Sequence, residues 1–341
     1  MRREMDLLFR IIIAVVLALK SLTLAGWAET SAPSVVPAAP AAQTAPQRVE
    51  LGLYLISIYD LDTSRNTYFI DFYLWVKWTG DIDPLRTLRF VNMVDEWDSL
   101  KEQVSTKHTT LPDGTKYQFL RIEGRFVHPF DFQHYPFDRQ TLRIIIEDEE
   151  HSTDALVYSI DTENSKIDKD LRIAGWDITR VSTEIEERHY DSNFGVRGLH
   201  STYSIAALSV EIARPASLFY WKLMTPLTIV LLAALSSLLL PTLQLDARAA
   251  LVASGLLTAV FLQRTYLDSL PDIGYLVVMD QIYLVAYFVI LVCLFRVAYT
   301  FLRARKADDA ERSRYGRTDR IVMVLLLLLF MCASSVIVAI A

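Results

Sequence analysis

From position 48 to 212 the apolar residues fall in short alternating runs, such as Val49, Leu51, Leu53 and Leu55, or Phe72, Leu74 and Val76. A period of two is what a strand with one buried face requires, because successive side chains point to opposite sides of a sheet. Turn signals such as Pro112-Asp113-Gly114 separate the runs, since proline presets one turn dihedral and glycine supplies the left-handed one. The spacing predicts strands near 49–59, 68–78, 117–127, 141–147, 155–160, 176–186 and 202–212. That many short strands suit one all-β sandwich of two packed sheets, covering 48–213.

Beyond Pro215 the period changes, and long apolar stretches appear at about 218–240, 247–267, 275–302 and 321–341. Each can cross a hydrocarbon core of roughly 30 Å as a helix. The expected second domain, 214–341, is therefore an all-α transmembrane domain with four helices. Arg303, Arg305, Lys306, Arg312, Arg314, Arg317 and Arg320 crowd the segment between the third and fourth stretches, whereas 268–274 has no Lys or Arg. Basic connections stay on the cytoplasmic side, so the β domain and the C-terminus are both expected outside the cytoplasm. The start of the chain agrees: Arg2, Arg3 and Arg10 precede or border an apolar run at 11–19, and small residues lead to Ala28. This reads as a signal peptide over 1–28; the alternative, a fifth membrane helix, is interrupted by Lys20. Positions 29–47 are mostly Ala, Pro and Ser without periodicity, the composition of a flexible linker.

Composition narrows the function classes. A chain of 341 residues that is 52% hydrophobic is too apolar for an ordinary soluble enzyme. Cys293 and Cys332 both lie in apolar stretches, so no disulfide framework holds the exported domain. A net charge of −6 without a basic face argues against a nucleic-acid partner. There is no nucleophile elbow, and the histidines are dispersed with no metal-spaced His/Cys cluster. Neither an enzyme nor a cofactor is expected, and a membrane-anchored hydrolase with a β-sandwich domain is the weak rival.

The second long stretch differs from the fourth in carrying Asp246, Arg248, Ser254, Thr258, Gln263, Arg264 and Asp268. Polar groups at membrane depth are costly unless they face protein or water. Steps of four and three residues from Asp246 reach Ala250, Ser254, Leu257, Phe261, Arg264 and Asp268, which share one stripe of an α-helix. The stripe faces water, or its polar groups satisfy one another inside a bundle; periodicity alone leaves both open.

Particular residues carry a family resemblance. The segment from His128 to Leu142, with Tyr135-Pro136-Phe137-Asp138 at its heart, resembles the signature loop of Cys-loop receptors, His128 and Leu142 standing where animal members have cysteines. Trp78, Arg89-Phe90-Val91-Asn92, Gly175-Trp176-Asp177, Arg214-Pro215, Pro226, the run from Arg248 to Thr258, Leu270-Pro271 and Asp280-Gln281 follow in the family's order. From about residue 48 to its end the chain is similar to bacterial pentameric ligand-gated ion channels, which lack the loop disulfide.

The resemblance implies a homopentamer, each chain joined by four identical subunits, in the bacterial inner membrane, surrounded by lipid, with the β domain and C-terminus periplasmic. The second helices would then enclose a pore lined by Asp246, Ala250, Ser254, Leu257, Phe261, Arg264 and Asp268. Leu257 would form a dewetting gate and Asp246 a carboxylate ring favouring permeant cations. Arg264 on the same stripe keeps anion selectivity open, with Asp268 four residues later able to offset its charge. A non-conducting receptor of the same architecture is the other alternative. Coupling between sensor and gate is expected to run through Asp62, Tyr135, Pro136, Phe137, Asp138, Arg214 and Pro271, with Asp138 and Asp62 pairing with Arg214. The agonist is expected to be a small molecule or protons. Its expected contacts are Tyr190 and Phe194, with Glu149 where many relatives have an aromatic residue and Tyr73 from a neighbouring subunit. The acidic run Glu147-Asp148-Glu149-Glu150, with Asp154, is a candidate divalent-cation or proton site, or a solvated loop.

Overall fold

A computed structural model of the chain describes residues 45–94, 100–103, 108–192, 195, 202–268 and 270–340. Positions 1–44, which hold the expected signal peptide and most of the expected linker, lie outside the described residues. By its internal contacts the chain divides into two units. One runs to Asp131 and resumes with Arg139–Pro215; the other combines Phe132–Asp138 with the chain from Ala216 onward.

The first unit is a sandwich of two sheets. Its larger sheet has the order β4 (Leu100–Gln103), β6 (Lys116–Val127), β2 (Thr67–Trp78), β1 (Gln47–Asp62) and β8 (Leu156–Ile160). Short β5 (Thr109–Thr110) and β9 (Lys166–Ile167) add to β6 and β1. The smaller sheet has the order β10 (Asp177–His189), β11 (Thr202–Ala213), β7 (Arg139–Asp148) and β3 (Leu88–Phe90). All seven anticipated strands coincide with long strands or with β8; β3, β4, β5 and β9 are too short to leave a periodic signal.

Alternation places the core. Phe72, Leu74 and Val76 of β2 are fully buried, as are Ile144 and Ile146 of β7 and Ile205 of β11. Phe90 of β3 meets Phe72 and Phe126 edge-on at 5.7 and 6.0 Å, so rings from both sheets interlock between the layers. Such edge-to-face pairs add about 0.5–1.5 kcal/mol beyond the area they bury. With no disulfide among the described residues, packing of this kind is what holds the sheets together.

The second unit holds α1 (Leu218–Leu239), α2 (Leu245–Leu267), α3 (Val278–Ala304) and α4 (Asp309–Ile340), each long and apolar enough to cross a membrane. In α1 a wide π turn over Leu218–Met224 precedes Pro226; proline donates no backbone hydrogen bond, and the ladder widens ahead of it. Helix α2 buries Val252, Gly255 and Ala259. A Cβ at Gly255 would lie 2.6 Å from the Cβ of Ala234 in α1, so glycine is what permits this close approach. The fourth helix starts at Asp309, well before the apolar run at 321. Its first turns are helical but polar, and hydropathy registers only the apolar continuation. Most of the basic residues expected in a loop therefore sit on α4.

Candidate functional site

Every member of the α2 stripe is exposed in the single chain: Asp246, Ala250, Ser254, Leu257, Phe261, Arg264 and Asp268. Leu257 and Phe261 are 58% and 63% accessible, far from burial for large apolar side chains on a membrane-length helix. At one end Arg264 Nε lies 3.0 Å from Asp268 Oδ1, an i,i+4 pair; Asp246 has no ion-pair partner among the described residues. The opposite face of α2 is buried, and with it Arg248.

Arg248 is fully buried and reaches the other three helices at once. Its Nε donates to the Ser237 carbonyl of α1 at 2.9 Å, and Nη1 donates to Thr300 Oγ1 of α3 at 3.1 Å. Nη2 donates to Asp319 Oδ2 of α4 at 2.6 Å. Arg296 Nε donates to the other Asp319 oxygen at 2.8 Å, so one fully buried carboxylate bridges two arginines.

The loop Phe132–Asp138 packs with the helical unit. Tyr135 is buried and stacks on Tyr266 of α2, ring centres 6.1 Å apart, and Tyr266 stacks in turn on Tyr283 of α3 at 5.4 Å. Phe137 lies against Phe219 of α1 at 4.8 Å, and the Phe132 amide donates to the Tyr275 hydroxyl at 3.1 Å. Asp280 Oδ2 accepts from the Val277 amide at 3.1 Å, and its Oδ1 receives the Tyr266 hydroxyl. Pro136, joined to Tyr135 by a cis bond, and Asp138 are buried, while Pro271 is half-buried in the connection after α2.

In the β unit, hydrogen bonds close the neck of that loop where a disulfide is lacking. Gln140 donates to the Asp131 carbonyl at 2.6 Å and accepts from its amide at 3.2 Å. With the amide thus oriented, its oxygen faces His128 Nε2 at 3.3 Å, so Nε2 is the protonated nitrogen of the neutral ring. Burial pushes the His128 pKa below its ordinary value, the Gln140 hydrogen bond opposing the shift. Leu142 takes no part in this closure and is a buried core residue.

Several expected site residues have partners of their own. Asp62 does not face Arg214: its Oδ1 accepts from the amides of Ser64 and Arg65, and Oδ2 lies 3.6 Å from Arg65, all within one turn. Arg214 stacks over Trp176 at 4.2 Å. The acidic run does not assemble a metal site, since no group of three or more ligating side chains occurs among the described residues. Glu147 receives the Tyr190 hydroxyl at 2.8 Å with Arg188 at 3.7 Å, and Asp148 receives Thr87 and His151. Glu149 lies 2.9 Å from Arg89, and both side chains are exposed. Tyr73, expected to reach the pocket from a neighbouring subunit, stacks on Phe119 in the larger sheet at 5.0 Å. Phe194 lies outside the described residues.

The chain is 29% identical over 164 residues to a proton-gated ion channel of Gloeobacter violaceus, a match covering 42% of this chain and 45% of that protein. The likeness is to a bacterial ion channel, in the direction that the loop and helix motifs of the sequence point. The chain spans less than half the length of that relative, and no family model matches it. The spacing of the α2 stripe from Asp246 to Asp268 was read from the sequence, whereas the stacking of Tyr135 on Tyr266 was not. The Arg248–Asp319–Arg296 cluster was missed. Its signal was present, since a charge inside an apolar helix calls for a partner, but α4 was expected to begin only after Asp319.

Proposed function

We propose that the chain is one subunit of a homopentameric, cation-selective channel of the bacterial inner membrane, opened by protons or a small molecule acting on the β domain. The observation that carries this reading is the α2 stripe. It exposes Asp246, Arg264 and Asp268 along a helix of membrane-spanning length while the back of that helix is buried. Charges on a lipid-facing surface cost several kcal/mol each, so such a stripe calls for a water-filled interior shared with other subunits. Cation preference follows from the pairing of Arg264 with Asp268, which leaves Asp246 as the unpaired charge on the stripe. The relative that is proton-gated supports protons as the stimulus. The pairing of Glu149 with Arg89 weakens an amine anchored on that carboxylate. In this reading residues 1–28 are removed on export, 29–47 link, 48–213 sense in the periplasm and 214–341 conduct, with the C-terminus periplasmic.

The experiment is current recording from the purified full chain in planar bilayers, stepping pH and adding small amines at each pH. Reversal potentials in a salt gradient distinguish cation from anion passage. Silence under all conditions, with the protein folded and oligomeric, would favour a receptor that signals without conducting.

A further inference from the structure

Arg248 follows Asp246 by two residues, which at 3.6 residues per turn sets the two side chains on opposite sides of α2. One opens the exposed stripe, and the other is locked among three helices. Between Arg248 and Tyr266, which is buried near the far end of the helix, the buried face of α2 is made of small groups, Val252, Gly255 and Ala259, which hold rotation less firmly than large interlocking side chains. Rotation of α2 at this end is therefore set by directed bonds. A guanidinium is a rigid fork, and here its nitrogens point to a carbonyl of α1, a hydroxyl of α3 and a carboxylate of α4.

We propose that Asp319, on α4, is a positioning residue for the pore: through Arg248 it fixes which side chains of α2 face the conduction path. The inference rests on the channel reading above. A buried ion pair contributes little net stability, but losing one partner strands a charge away from water. Helix α2 thus cannot turn at the Asp246 end without breaking the contact or dragging α4. Asp319 is suited to the task because each of its oxygens accepts from a different arginine, Arg248 of α2 and Arg296 of α3. Arg296 is itself steadied by donating from Nη2 to Thr318 Oγ1 at 2.9 Å. In Asp319→Asn one of the two arginines must meet an NH2 group instead of an oxygen. The shape of the side chain is retained while the bridge is broken.

The test uses the full chain with exposed Cys332 replaced by Ser. Unitary conductance and the rate at which a charged methanethiosulfonate modifies Ala250→Cys are compared in three backgrounds. Asp319→Asn is expected to change both severalfold at an unaltered yield of oligomer, and Asp319→Glu to return both toward the parent. An Asn variant equal to the parent in both readouts, or a Glu variant as impaired as Asn, overturns the proposal. If the Asn variant fails to assemble, Thr300→Val, which removes one hydrogen bond to Arg248, is expected to move both readouts less and in the same direction; no movement overturns it equally. A parent that carries no current refutes the channel reading, while the modification rates still decide the positioning role.

Discussion

Leu257 is a large apolar side chain that its own subunit leaves more than half exposed. In the proposed ring it meets its counterparts across the axis, where an apolar constriction sheds water and stops conduction. Leu257→Thr wets that ring. A fully buried leucine is worth about 1.5–3 kcal/mol, and even a fraction of this, repeated in every subunit, is expected to move activation roughly tenfold toward weaker stimulus or to leave a standing leak. Unchanged activation with unchanged leak would show that the gate lies elsewhere. In the β unit, Tyr190→Phe removes the hydroxyl that donates to the largely buried Glu147. A loss of about 1 kcal/mol is expected, below the full range for bonds to charged groups because Tyr190 is partly exposed; the thermal midpoint of the solubilised protein checks it. Legibility at this scale divides by distance along the chain. The stripe could be read because its members recur at helical spacing, whereas Arg248 and Asp319 are 71 residues apart and no periodicity links them. The Glu149–Arg89 and Tyr190–Glu147 pairs were hidden for the same reason.

Among elements, α1 and α2 approach closely at Gly255. A side chain at 255 must push α1 and α2 apart, since even the first carbon would overlap Ala234. Gly255→Val is therefore expected to destabilise the assembled protein by about 1–3 kcal/mol, the usual cost of overpacking, read as a lower thermal midpoint. A midpoint equal to the parent's would mean that the helices separate freely. On the other face of α2, Asp246→Ala is expected to weaken cation preference without changing stability, because Asp246 is exposed and unpaired among the described residues. An unshifted reversal potential would move selectivity to Arg264 and Asp268. The elements themselves were largely legible. Alternation announced the long strands, and apolar length announced the helices. Strands as short as Leu88–Phe90 and the polar start of α4 at Asp309 carry too little pattern to be seen before packing decides them.

For the whole molecule, the proposed channel requires that protons acting on the β domain bias α2. His128 stands at the neck from which the chain departs into Phe132–Asp138, and that loop packs on Tyr266 of α2. Its folded pKa is depressed by burial, so the neutral ring is the form that this conformation accommodates. The sign follows from proton counting. Above the unfolded value of about 6.5 both states are neutral and no penalty exists. As pH falls from there through the lower folded value, any state that hydrates His128 binds the proton better, and the described conformation loses stability relative to it. If the hydrated state is the conducting one, acid opens the channel through this residue. His128→Gln, which keeps a side-chain amide to hydrogen-bond Gln140 but cannot titrate, is expected to shift activation to more acidic pH or to abolish it, and to flatten the fall of thermal stability below about pH 6.5. Measuring both on one preparation separates two outcomes. A flattened stability profile with unchanged activation makes His128 a structural group that titrates alongside the sensor. No change in either places the proton response in other carboxylates or histidines of the β unit.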